Sequence, residues 1–229
     1  MKLSDNTISV LKNFASINSN IVIDTGNTIR TISEAKNILA KIDVEETFDQ
    51  EFGIYDLNEF LGVINLVDSP ENKPTLNFQE NFVTISDASG LANIKYFFSD
   101  TDMLTKAGKD VRMPEGEVKF DLDEGVLQKL KAAASALGHT ELIIEGVSDK
   151  LAKITVTTSE NATANTFSIE IPATSPNATY KFIYNINNLK ILPGNYEVAI
   201  SSQKISKLTN STNGLQYWIA LEKTSTYGE

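Results

Sequence analysis

An internal duplication constrains this chain of 229 residues more than any other feature. A helix is predicted to begin at Ser4 or Asp5. It carries Val10, Leu11, Phe14 and Ile17 on one side and Ser9, Lys12, Asn13 and Ser16 on the other, as the helical period requires. Two strand-like runs follow, Ile21 to Asp24 and Thr28 to Ser33. They are joined by Thr25-Gly26-Asn27, a short hairpin signal.

The second half repeats this order. Asp121 to Glu124 offers a helix start, because acids suit the positive end of the helix dipole. Val126, Leu127, Leu130, Ala134 and Leu137 form an apolar stripe, and Gly138 is the expected stop. Strands then follow over Leu142 to Glu145 and Ala152 to Thr157, joined through residues 146–149. A further pair of motifs recurs, Phe52 to Asn58 and Phe182 to Asn187. In each, a strand ending in Ile-Tyr runs toward an Asp or Asn able to cap a helix. The first of these helices is expected to bury Leu57, Phe60, Leu61, Ile64 and Val67. The second is expected to be shorter and to stop at Pro193-Gly194. Alternating strands follow in both halves, among them Asn93 to Phe97, Asn195 to Ile200 and Leu215 to Leu221.

Each half therefore reads helix, strands, helix, strands. The fold class is α+β, with two similar domains, each placing two helices on a mainly antiparallel sheet. The polar run from Ser99 to Glu115 reads as a crossover. It puts an N-terminal domain at 1–105, a linker at 106–115 and a C-terminal domain at 116–229.

With no cysteine in the chain, disulfides, thiolate metal sites and cysteine nucleophiles are excluded together. No apolar run is long enough to span a bilayer, and the polar N-terminus lacks the apolar centre of a signal peptide. The expected location is the cytoplasm. His139, the sole histidine, follows the helix-stop glycine, where a turn or surface role is the default. Neither a Ser-His-Asp constellation nor a phosphate loop can be assembled. Asp121, Asp123 and Glu124 lack calcium-loop spacing and read as helix capping. Asp43, Glu45 and Glu46 read as a solvated strand edge. No catalytic residue, metal or cofactor is expected, and the chain reads as a non-enzyme.

A formal charge of −10, from 30 acids and 20 bases, argues against nucleic acid unless the bases are segregated onto one face. The helices show such a bias. The first carries Lys12 and Asn13; the third carries Gln128, Lys129 and Lys131 opposite its apolar stripe, with Ser135; the short fourth carries Asn187, Asn188 and Lys190. The helix after Asp56 departs from this trend, with Asp56 and Glu59 and no base.

Several stretches, in order along the chain, resemble the sliding clamps of T-even-like tailed phages, the processivity factors of their DNA polymerases. They are Leu11 to Ala15 with Ile17-Asn18-Ser19, Ile54 to Asn58 with Phe60-Leu61-Gly62 and Leu66-Val67, Pro193 to Tyr196, and Ala220-Leu221-Glu222. Residues 91–117, 150–180 and 201–214 carry none of these motifs. The resemblance implies a ring of three chains, closed head to tail, with helices lining the hole and sheets outside. A homotrimer closed this way leaves no sheet edge exposed. It also implies double-stranded DNA held topologically, the viral DNA polymerase, an ATP-dependent clamp loader, and a late-transcription sigma factor with its co-activator. The DNA-facing residues expected are Lys12, Asn13, Lys129, Lys131 and Lys190. A partner groove is expected from Met103, Leu104, Leu192 and Trp218. The competing readings are a phage structural or tail protein that oligomerises without encircling DNA, and a small hydrolase.

Overall fold

The computed structural model describes residues 1–69, 72–108, 112–148, 150–161, 163–175 and 178–228. The chain divides into two compact units, Met1–Lys109 and Asp110–Glu229. Of the expected linker, residues 109–111 lie outside the described residues.

Unit one begins with helix α1 (Asp5–Ile17), capped by the Ser4 side chain, which accepts the Thr7 N–H. Val10, Leu11 and Phe14 are fully buried on its inner side. Strands β1 (Ile21–Ile23), β2 (Gly26–Ile32), β3 (Ile38–Phe48) and β4 (Phe52–Ile54) follow. Helix α2 (Leu57–Val67) comes next, with Asp56 Oδ1 accepting the Asn58 and Glu59 N–H groups at 3.0 Å each. It buries Leu57, Phe60, Leu61 and Ile64, while Val67 is only half-buried. Strands β5 (Thr75–Phe78), β6 (Phe82–Ser86) and β7 (Asn93–Phe97) form an antiparallel meander. The chain's first residues brace that meander: Met1 and Leu76 exchange backbone hydrogen bonds of 2.8 and 2.7 Å.

The expected hairpin between the first two strands does not form. β1 pairs with β4, from Ile21 opposite Ile54 to Ile23 opposite Phe52, and β2 pairs with the long β3. The chain does turn at Gly26, whose φ of +110° lies in the left-handed region. The three residues of β1, however, spend their backbone groups on β4. Asp24, at the turn, is held instead by Arg30 at 3.5 Å and Lys106 at 3.7 Å.

In unit two, strand β8 (Val118–Leu122) leads into helix α3 (Glu124–Leu137). Asp123 accepts the Gly125 N–H at 2.7 Å, and Gly138 ends the helix at φ +69°. Strands β9 (Glu141–Ser148) and β10 (Leu151–Thr157) do form the expected hairpin, although Asp149 at its turn lies outside the described residues. β11 (Phe167–Pro172), β12 (Tyr180–Asn185) and β16 (Thr226–Tyr227) complete a sheet in the order β11-β10-β9-β12-β16. A second antiparallel layer runs β8-β13-β14-β15, where β13 is Tyr196–Ser201, β14 Ile205–Asn210 and β15 Gln216–Ala220. Phe120, Val198 and Leu208 of this layer share a core with Leu127 and Leu130 of α3 and Leu189.

The expected fourth α-helix is a single 3-10 turn, Ile186–Asn188. Its cap forms as anticipated, with Asn185 accepting the Asn187 N–H at 3.0 Å. Consecutive Asn residues have poor helix propensity, and Pro193 closes the segment before a stable helix has room to grow. Among its described residues, unit two thus carries one α-helix where two were expected.

Candidate nucleic-acid interface

The solvent sides of the three α-helices share one charge rule. Their only acids, Asp5, Glu59 and Glu124, all sit in first turns, where the helix dipole favours them. Beyond the first turn, the only charged side chains are Lys12, Lys129 and Lys131. Lys12 and Lys129 are exposed, and Asn13 is half-exposed. Lys131 is different, because it lies four residues from buried Leu127 and therefore beside the apolar stripe. It is half-buried, and desolvation lowers its pKa below the ordinary lysine value. This corrects its expected place opposite the stripe. Lys190 is exposed, but it follows the 3-10 turn and is not on a helix. Its neighbour Leu189 is buried in the core with Leu127 and Leu130 of α3. On α2, the body of the helix is uncharged, and Leu66 is 77% exposed.

Near the start of α1, Lys73 bridges Asp5 at 2.6 Å and Asp68 at 3.3 Å. Lys12 lines the adjacent crevice with Leu61, Ile64 and Asn65 of α2, which packs against α1. Two cations therefore accompany the α1–α2 seam, although α2 brings none.

Glu46 was expected on a solvated edge. Instead it is buried and caps α1, accepting the Ser4 N–H and, at 2.5 Å, the Thr7 hydroxyl. Burial pushes its pKa up, but the Thr7 and Ser4 hydrogen bonds outweigh that and hold it below the ordinary glutamate value. The alternation of β3 carries the signal that was missed: Ile42, Val44, Glu46 and Phe48 all face inward. Asp43 and Glu45 are exposed, as expected.

The four residues expected in a partner groove divide between the units. Met103 is 84% exposed at the end of a 3-10 turn in unit one. Leu104 is buried beside Gly53, where an added Cβ would stand 2.7 Å from the leucine side chain and 2.8 Å from the Ser99 carbonyl. Residues 99–106 are fastened to unit one by further contacts. Ser99 donates to Gly53 O at 2.9 Å, Thr105 N–H to Asn20 at 3.0 Å, and Lys106 pairs with Glu51 at 2.5 Å. In unit two Leu192 is half-buried and Trp218 is buried in β15. Leu104 consequently packs within unit one, against Gly53.

Among the described residues, no three His, Asp or Glu side chains gather to hold a metal, and no helix is long and apolar enough to cross a membrane.

Comparison with solved structures identifies the architecture as the DNA clamp fold. PCNA from Thermococcus kodakaraensis superposes with a TM-score of 0.72 at 13% identity, covering 95% of this chain and 96% of that one. Proliferating cellular nuclear antigen from Entamoeba histolytica gives 0.68 at 11% identity, with 94% of each chain covered. Residues 3–78 match the family described as DNA polymerase processivity factor, and residues 119–223 the one described as gp45 sliding clamp, C terminal. The sliding clamp of Vibrio phage KVP40 is 33% identical over 97% of this chain and 99% of its own length. Those of Escherichia phage RB69 and Enterobacteria phage T4 are 28% and 27% identical, each over 99% of both chains. The chain belongs to the sliding-clamp family, the DNA polymerase processivity factors of T4-like phages. The reading as a structural or tail protein finds no support among these relatives.

Proposed function

We propose that three copies of this chain close head to tail around duplex DNA, with Lys12, Asn13, Lys129, Lys131 and Lys190 facing the hole. The observation that carries this reading is the charge rule of the helices: lysines in their bodies, acids only in first turns, on a chain of net charge −10. Few and weak cations suit a sliding protein, since many tight phosphate contacts would arrest it. Lys131, being partly desolvated, contributes less than Lys129. Counting the described residues of each, three chains would bring nine α-helices to the ring, with a 3-10 turn in place of each expected fourth helix.

Sheet edges support head-to-tail closure. β7 ends the unit-one meander and β11 ends a unit-two sheet. Their inward residues, Ile94 and Tyr96 on β7 and Phe167 and Ile169 on β11, are only half-buried. Pairing β7 of one copy with β11 of the next would complete both rows and remove two open edges.

In this reading the ring is a non-enzymatic tether working in the cytoplasm of the infected host. Its partners are the viral DNA polymerase, an ATP-dependent clamp loader, and a late-transcription sigma factor with its co-activator. Exposed Met103 in unit one and half-buried Leu192 in unit two each offer an apolar side chain to such a partner. Sedimentation or light scattering tests the stoichiometry: a mass about three times the 25.2 kDa chain supports the ring, and a monomer or dimer at working concentration refutes it. Reversal of Lys12 and Lys129 to Glu tests the inner face. It should shorten retention on closed circular DNA with the trimer mass unchanged; unchanged retention would remove these lysines from the hole.

A further inference from the structure

Unit two has a cavity of about 600 Å³ on the solvent face of the β8-β13-β14 layer, a volume typical of ligand sites. The opposite face of this layer packs on α3 through Phe120, Val198 and Leu208. The cavity therefore lies on the side of the sheet away from the helix lysines. Its wall is the strand end Pro172–Thr174, fixed by reciprocal backbone hydrogen bonds between Lys119 and Thr174 of 2.9 and 2.8 Å.

The floor is two rows of opposite charge. Glu197 stands directly across from Asp121. One step along the same face, Ala199 stands between Lys119 on β8 and Lys207 on β14. Among the described residues none of these four charged side chains forms an ion pair, although Lys207 also leans toward Trp218, 5.3 Å from its ring centre. Like charges directly opposite one another in an antiparallel pair destabilise the sheet. Such local violations belong where a surface is kept for another purpose.

We propose that this groove docks an extended segment of a partner protein carrying an acidic and a basic side chain separated by one residue. The two rows are a two-residue step apart along β13, about 7 Å at the rise of a strand. An extended peptide laid along β13 presents alternate side chains to the floor with that same spacing. Its carboxylate sits over Ala199 between Lys119 and Lys207, roughly 10 Å apart across two strand spacings. Its cation sits between Asp121 and Glu197. The small Ala199 and the Pro172 ring give the intervening backbone an apolar bed. Each incoming charge meets two opposite ones, and the cation relieves the Asp121–Glu197 repulsion.

The test uses the full chain without DNA, so its outcome is independent of ring closure around a duplex. A displayed library of random linear 12-residue peptides is selected on the immobilised protein. Enrichment of opposite charges one residue apart is expected. A synthetic peptide of the enriched sequence should bind at least tenfold more weakly to the Lys119→Glu/Lys207→Glu variant, and more weakly when its two charges are made adjacent. Enrichment of other patterns, or binding indifferent to the variant, overturns the proposal. Melting provides a second reading that needs no ligand: Glu197→Thr should raise the melting temperature by relieving Asp121. An unchanged or lowered value removes the premise.

Discussion

In unit one the strand ending in Ile54 runs through Tyr55 into the eleven-residue helix α2, whereas the matching strand of unit two runs into one 3-10 turn. Both are capped alike, by Asp56 and Asn185. The difference lies beyond the cap. Phe60, Leu61 and Ile64 give α2 a continuous inner stripe, while Asn187, Asn188 and Pro193 deny unit two the same length. The strands differ in parallel: β9 and β10 are a hairpin, but β1 and β2 part company at Gly26 and pair with β4 and β3. The same plan thus holds with a helix reduced to one turn or with a different ladder, provided that a core row and a capped entry remain.

The largest effect expected from this contrast is at Phe60, which is 2% exposed and meets Tyr96 edge-on at 5.1 Å. Phe60→Ala should cost about 4 kcal/mol, and Leu189→Ala in the 3-10 segment nearer 2 kcal/mol, by denaturant unfolding. Equal losses would mean that the Phe60 ring packs no better than the smaller Leu189 side chain.

Next is Glu46. Its replacement by Gln should cost about 2 kcal/mol, because the Ser4 N–H and Thr7 hydroxyl lose a charged acceptor. The lowered pKa sets the sign of its pH dependence. The stabilisation is full above the ordinary value of 4.5 and disappears as pH falls through the lower folded value. Unit two has its own such group, Glu117. Burial raises its pKa, yet the Ser202 hydroxyl and N–H, at 2.6 and 2.8 Å, hold it low. Glu46→Gln should therefore flatten only part of the acid-induced loss of stability. Complete flattening would contradict a share for Glu117.

Smaller still, Lys129→Glu should change stability by less than about 0.5 kcal/mol, as befits an exposed position, while shortening retention on DNA. At the small end, Tyr96 should ionise near pH 12, because burial and the nearby Glu59 carboxylate both raise its pKa. Glu59→Gln should lower that midpoint in an ultraviolet titration; no movement would leave burial and the Asp56 carboxylate as the causes.

The duplication, the three α-helices and their caps were legible because period and capping are local properties of the chain. Ser4, Asp56, Asp123 and Gly138 all act where their chemistry put them. The partner of β1 was not legible: a three-residue strand beside a turn glycine looks the same whether it pairs forward or with β4. A shorter fourth helix was legible from Pro193-Gly194, but not its reduction to one 3-10 turn, since the Ile-Tyr-Asn cap outweighed the poor propensity of the two asparagines after it. At the candidate interface, Lys12 and Lys129 could be read from helix phase. Lys131 was misplaced, because its contact with the stripe depends on a four-residue spacing from Leu127. Glu46 escaped notice because acids on strands are ordinarily solvated, and only its parity with Ile42, Val44 and Phe48 marks it as inward.

The central claim is that duplex DNA is held by enclosure. It is tested most directly by loading the protein onto nicked circular DNA with a clamp loader, then comparing retention before and after the circle is cut once. Prolonged retention on the circle and rapid loss from the linear form, at equal salt, is the expected result. Equal loss from both forms would contradict enclosure.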